Sequence, residues 1–169
     1  MAKDVDFENL VASHYEPLYQ FAFSLTRDEA EACDLTQQTF CIWAAKGHQL
    51  RDVTKVKTWL FTTLHREFLG SRRRQTRFPH VDLEYAAAEL PVVSPATINQ
   101  LDVGQLLHML DQLDEIYRAA IMLFYLEDHS YNEIAEILGI PLGTVKSRLT
   151  RGLEKLHHLL STIEAPPQP

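Results

Sequence analysis

Cysteine is scarce: the chain has two, at Cys33 and Cys41 inside one predicted helix. That spacing puts them about two turns apart, too far for a local disulfide. A disulfide-stapled secreted scaffold is therefore excluded, and both thiols are read as buried and free. No Cys/His set has zinc spacing, and the adjacent His157 and His158 diverge around a helix as surface residues. A Gly-rich phosphate loop and a nucleophile with a paired base are also missing. These absences point away from an enzyme: catalytic residues none, metal none, cofactors none, no small-molecule substrate. No apolar run is long enough to span a bilayer. The first ten residues, MAKDVDFENL, are acidic and lack a signal-peptide core, so a cytoplasmic location is expected. Excess positive charge is lacking too. A net charge of -7 argues against a free-standing, non-specific DNA binder, but not against local DNA contacts made with a partner's help.

What is present is helical periodicity and an uneven charge distribution. Asp4, Asp6, Glu8, Glu16, Asp28, Glu29, Glu31 and Asp34 crowd the first part of the chain. Lys55, Lys57, Arg66, Arg72, Arg73, Arg74 and Arg77 crowd a later part, where Glu67 is the only acid between Lys55 and Arg77. Residues 6–25 carry Leu10, His14, Leu18, Phe21 and Leu25 at helical spacing. Pro17 predicts a kink there, or two abutting helices. Residues 29–46 form a second helical unit with Leu35, Phe40 and Trp43 on its apolar face. Asp34, Gln37, Gln38 and Cys41 lie on a polar face beside it. Gly47 ends this helix, and 48–54 reads as a loop. Residues 55–74 form a third unit. Residues 78–97 hold Pro79, Pro91 and Pro95 with Asp82, Glu84 and Glu89, the composition of an extended linker. Residues 98–111 and 113–126 read as two more helices.

The strongest local signal is SYNEIAEILGIPLGTVKSRLTRGLEKL, residues 130–156. Ser130 and Glu133 have capping-box spacing. Gly139 stands where the chain must leave a helix in a left-handed conformation, and Pro141 prevents the first helix from continuing. In the second helix Val145, Leu149, Leu153, Leu156 and Leu160 share one side. Ser147, Thr150 and Arg151 share the opposite side, with Thr144 and Lys146 at its margins. A core-packed helix with a small, polar, cationic outer face suits major-groove reading. Lys146, Arg148, Arg151 and Lys155 suit phosphate contacts. The bland alternative is a helical hairpin with a solvated charged face.

In the third unit, Trp59 and Phe61 sit among Lys55, Lys57, Arg66 and Arg72, Arg73 and Arg74. Aromatic faces among cations suit unpaired nucleic acid. Spacing alone favours core packing for Trp59 and Phe61. The predicted fold is all-α: two small helical domains joined by a flexible linker, the C-terminal one a helix-turn-helix domain. The expected division is 1–77, a linker at 78–97, 98–163, and a frayed tail at 164–169.

Three blocks together resemble bacterial sigma factors of the extracytoplasmic-function (ECF) type, in the sigma-70 superfamily. They are DLTQQTF (34–40), KTWLFTTLHREFLGSRRR (57–74) and YNEIAEILGIPLGTVKSRLTRGLEKL (131–156). The last alone is shared by many regulators; all three in this order with a linker between are far more specific. The resemblance implies that Asp34, Gln37, Gln38 and Phe40 bind the clamp helices of the largest subunit of core RNA polymerase, with the flap as a further contact. It implies that Lys55, Lys57, Trp59, Phe61, Arg66, Arg72, Arg73 and Arg74 melt and hold the downstream promoter element. Thr144, Lys146, Ser147, Arg148, Thr150, Arg151 and Lys155 would read the upstream element. The partners implied are core RNA polymerase, promoter DNA and a candidate anti-sigma factor, with the free chain a monomer.

Departures from the family pattern fall at Gln38, where an acid is common, and at Arg66 and Gly70, where Asn and Asp are common. Asp114 stands where Pro is usual. Residues 48–54 follow no decodable pattern, so downstream base preference stays open. Two other readings compete. An autonomous helix-turn-helix regulator would dimerise on two half-sites, which the acidic net charge disfavours. A mimic that sequesters a sigma inhibitor would not need Ser147, Arg151 and the basic third unit.

Overall fold

The computed structural model describes residues 5–75 and 103–164. Among these the regular structure is helical, in two units. The linker expected at 78–97, Arg77, the first part of the helix expected from 98, and the tail from 165 lie outside the described residues.

The N-terminal unit has three long helices: α1 (Phe7–Thr26), α2 (Glu29–Lys46) and α3 (Val56–Gln75). Asp6 caps α1, its Oδ1 accepting from the Glu8 N–H at 3.2 Å. Pro17 sits inside α1, so the alternative of two abutting helices does not hold. Arg27 closes α1 in the left-handed region at φ 54°. Asp28 then caps α2 by accepting from the Glu31 N–H at 2.8 Å. Thr36 and Thr39 are buried on α2. Each hydroxyl donates at 2.7 Å to a carbonyl one turn back, Ala32 and Leu35 respectively, so neither leaves a buried donor unmet. Gly47 follows α2 for steric reasons: a Cβ there would lie 2.6 Å from the Trp43 ring. The predicted loop at 48–54 is largely two short 3-10 turns, Gly47–Gln49 and Val53–Lys55. Leu18, Phe21, Leu25, Leu60, Phe61, Leu64 and Phe68 are fully or nearly fully buried between the helices.

The C-terminal unit comprises α4 (Val103–Leu110), α5 (Glu115–Ile121), α6 (Tyr131–Leu138) and α7 (Leu142–Glu164). The helix expected over 113–126 begins after Asp114 and widens into a π-helical stretch, Met122–Leu126. This wider turn routes the Glu127 N–H to the Met122 carbonyl and the His129 N–H to the Leu123 carbonyl. Ile121, Met122, Leu123, Ile134, Val145 and Leu156 form its buried centre.

The two units abut. α3 packs on α6 and α1 on α5. The sequence suggests two bodies joined only by a tether; the structure adds a buried seam between them. No described helix is long and apolar enough to cross a membrane.

Candidate nucleic-acid interface

The helix pair α6–α7 forms as its sequence dictates. The Ser130 Oγ accepts from the Glu133 N–H at 3.2 Å, and a Glu133 carboxylate oxygen accepts from the Ser130 N–H at 2.8 Å. Both halves of the capping box are therefore made. The backbone hydrogen bond at Ser130 is the chief reason the Glu133 carboxyl titrates below its usual range. Gly139 ends α6 at φ 66°, and the Ile140 N–H reaches back to the Ala135 carbonyl at 3.1 Å. Val145, Leu149, Leu153 and Leu156 are buried as expected, and Leu160 is half-buried.

The outer face of α7 is mixed. Lys146 is exposed, while Thr144, Ser147, Thr150 and Arg151 are half-exposed. Ser147 donates its hydroxyl to the Thr144 carbonyl at 3.1 Å, and Thr150 to the Lys146 carbonyl at 2.8 Å. Their oxygens remain able to accept from a base edge. Lys155 is exposed but engaged: its Nζ lies 3.1 Å from Asp114 Oδ2 and 4.7 Å from the centre of the Tyr117 ring. Arg148 departs from the expected phosphate-facing position. It is 8% exposed and close enough to His65 of α3 to hold down that imidazole's proton affinity. Its place on α7 borders the seam, where packing against the other unit overrides helical position.

Lys55 of the turn before α3 and Arg66, Arg72, Arg73 and Arg74 of α3 are exposed. Arg72 lies over the Phe68 ring at 5.1 Å and 3.8 Å from Glu115 of the other unit. Arg74 donates to the Gly70 carbonyl at 3.3 Å. Lys57 donates to the Glu127 carbonyl, again across the seam, with the Glu127 carboxylate 4.0 Å away. Trp59 is half-buried and meets Trp43 edge to face at 5.1 Å. Phe61 is wholly buried, 5.4 Å from the Phe21 ring. It is a core residue in this arrangement, not an exposed base platform, because its helical position points it between the units.

The polar patch on α2 is divided. Asp34, Gln37 and Gln38 are exposed, and Asp34 and Gln38 line a polar groove of about 420 Å³ shared with Glu67, Arg72 and Arg74. Phe40 is not on that surface. It is buried, stacked on Tyr15 at 6.3 Å and edge-on to Phe7 at 6.5 Å. The thiols also differ from expectation: Cys33 is half-buried, 3.9 Å from the Tyr15 hydroxyl, and Cys41 is exposed. Cys41 shares the polar face of Gln37 and Gln38, so helical position outweighs the general tendency of Cys to be buried.

Sequence reasoning passed over a set of buried polar groups: His65, Arg118, Glu127 and His129. Arg118 donates to the Ser24 carbonyl of α1 and to the Leu113 carbonyl. Its signal was available, as a single charge among Ile116, Ala119, Ala120 and Ile121. His129 had no such signal.

Two family models match the chain: sigma-70 region 2 over residues 10–78 and sigma-70 region 4 over residues 104–156. The chain is 32% identical to the ECF RNA polymerase sigma factor SigE of Mycolicibacterium smegmatis, over 92% of this chain and 62% of that protein. It therefore spans less than two thirds of that relative. It is 30% identical to the ECF RNA polymerase sigma factor SigM of Bacillus subtilis, covering 90% of this chain and 93% of that one. The fold superposes on the sigma factor RpoE of Bartonella quintana, solved in complex with the anti-sigma factor NepR. That match has a TM-score of 0.70 and 31% identity, over 92% of this chain and 97% of that one. A second match, at 24% identity and a TM-score of 0.64, is CnrH in complex with the cytosolic domain of CnrY; it supports the fold alone.

Proposed function

Since the chain belongs to the sigma-70 family, in its extracytoplasmic-function group, we propose that its two units divide the work of promoter-specific transcription initiation between them. The observation that carries this reading is the order of the two matched regions, 2 then 4, in a single chain. An autonomous helix-turn-helix regulator is not favoured, because it leaves the region 2 match unaccounted for.

The exposed side chains of α2, Asp34, Gln37 and Gln38, form the polymerase-binding surface. A polar, partly acidic face complements a basic partner and favours productive encounter. Phe40 supports that surface from beneath, by fixing α2 against Phe7 and Tyr15. Lys55, Arg66, Arg73 and Arg74 supply cations to a melted strand, and Trp59 is the half-open ring on which a base could stack. Thr144, Lys146, Ser147, Thr150 and Arg151 face the upstream element. Arg151 is the side chain able to grip guanine through two parallel hydrogen bonds. In this reading the first unit takes residues 1–77 and the second residues 98–163.

Catalysis belongs to the polymerase, so the chain itself is not an enzyme, and it works in the cytoplasm where polymerase works. An anti-sigma factor, NepR, is the partner of the solved RpoE neighbour, and a protein of that class is a partner for this chain. The decisive experiment is in vitro transcription on a genomic library with and without core polymerase. Transcripts from a defined set of start sites should require both the chain and core. Tight, selective binding of the chain alone to duplex promoters at physiological salt would overturn the reading.

A further inference from the structure

The seam between the units is unusual in what it buries. From α3 come Lys57, Phe61 and His65; from the other unit come Glu127, His129 and Arg148. Of these, Phe61, His65, Glu127, His129 and Arg148 are all buried. The His129 ring lies edge-on to Phe61 at 5.0 Å. Its Nδ1 is 3.6 Å from a Glu133 carboxylate oxygen. Its Nε2 is buried with no hydrogen-bond partner among the described residues. A buried, unmet imidazole nitrogen costs stability. Asp128, just before it, holds a positive φ of 55°, a strained conformation for a non-glycine residue. The turn is thus held in a form that places His129 in the seam.

We propose that this seam is a proton-sensitive latch: with both imidazoles neutral the units close over Phe61 and Arg148, and protonation of His65 and His129 opens the chain and frees them. Closure and promoter reading compete for the same side chains, because Lys57 is bonded to Glu127 across the seam and Arg148 is buried at it when it is shut.

The charges around each imidazole support this direction. Burial lowers His65 to about 4, Arg148 from α7 pushes the same way, and a hydrogen bond with the Ile137 backbone of α6 opposes both. Burial likewise lowers His129 to about 4, aided by Lys57 from α3 and opposed by Glu133 and Asp128. In an opened chain both would return toward the ordinary value near 6.5. A group whose closed-state affinity for protons is depressed favours the open state as pH falls from about 6.5 toward 4. Between pH 7 and pH 5 each histidine then shifts the closed-to-open ratio by roughly 10-fold or more. Glu127 acts in the other direction. Burial raises its carboxyl, against Lys57 and aided by Asp128, so its protonation favours closure. One such carboxyl faces two imidazoles, and the net effect is opening. Of the other cross-seam charges, the Arg118 guanidinium, bonded to the Ser24 carbonyl, does not change protonation in this range, and Arg27 with Asp111 and Arg72 with Glu115 are partly exposed pairs at 3.8 Å that add little.

The test uses the full chain carrying Cys33→Ser and His158→Cys, spin-labelled at the exposed Cys41 of α2 and at position 158 of α7. Double electron–electron resonance at pH 7.5 should give one narrow distance. On acidification the distance should lengthen and broaden, with a midpoint between pH 4 and 6.5, while far-UV circular dichroism stays constant. The single substitutions His65→Gln and His129→Gln should each lower that midpoint, and together they should hold the chain closed at pH 5. A broad distribution already at pH 7.5 would overturn the latch. So would a distance that does not respond to pH, a loss of helix signal at the same midpoint, or two single variants that leave the midpoint in place. The readout involves neither polymerase nor DNA, so its failure would leave the sigma-factor reading standing.

Discussion

Phe61 of α3 meets His129 edge to face, ring centres 5.0 Å apart at 70°, and this contact joins α3 to the turn that leads into α6. Phe61 is wholly buried, and His129 nearly so. The family resemblance put Phe61 in the melting set, spacing alone favoured the core, and the ring is buried where the two units meet.

Phe61→Ala should therefore behave as a core truncation. Deleting a buried phenyl ring costs about 3–5 kcal/mol, and urea unfolding of the full chain measures it. Unchanged stability combined with a selective loss of open-complex formation would return Phe61 to the base-contact role.

Ser130→Ala removes one half of a complete capping box. The expected loss is about 1 kcal/mol, read as a lowered midpoint in urea. Because Glu133 Oε2 also approaches His129, the variant should disturb the seam as well as α6.

Gly152 of α7 is a tight crossing that the sequence reading passed over. A Cβ there would lie 2.7 Å from Ile121 Cδ1 and 3.2 Å from Tyr117 Cβ. The Ile121 side-chain end can rotate away, but the Tyr117 Cβ is fixed to α5. Gly152→Val should destabilise by about 1–3 kcal/mol through overpacking, visible in thermal unfolding.

Arg151→Ala tests the reading face. Arg151 is half-exposed on α7, so the substitution should leave the fold unchanged. Loss of a base contact should cost about 1–3 kcal/mol of promoter discrimination, measured by run-off transcription with core polymerase on matched and mismatched upstream elements. Equal selectivity in variant and parent would remove Arg151 from the reading set.

The double substitution Asp34→Ala and Gln37→Ala should weaken capture by core polymerase. Both side chains are exposed on α2, so the urea midpoint should be unaffected. A pull-down with undiminished binding would dissociate this face from the polymerase.

Much of this was legible in the chain because it is local. The Ser130–Glu133 capping box, the left-handed Gly139 and the α7 stripe from Val145 to Leu156 each depend on residues within a turn or two. The departures share a cause. Phe40, Phe61 and Arg148 lie at helix positions whose exposure is set by what arrives from elsewhere: Phe7 and Tyr15 over Phe40, His129 over Phe61, and α3 beside Arg148. Helical periodicity divides apolar from polar faces, but a boundary residue belongs to either until its neighbour is known. His65 and His129 show this most sharply, since no periodic signal distinguishes a surface imidazole from one sealed in a seam.

The amino-acid order alone determined the helices, their caps and the order of the two regions, because backbone hydrogen bonding and apolar spacing act over a few residues. Only the tertiary structure decided that the units close on each other and which cations remain outside. That outcome depends on contacts between residues far apart in the chain, where burial of Phe61 and its apolar neighbours outweighs both the local preference of any one helix face and the cost of desolvating His65 and His129.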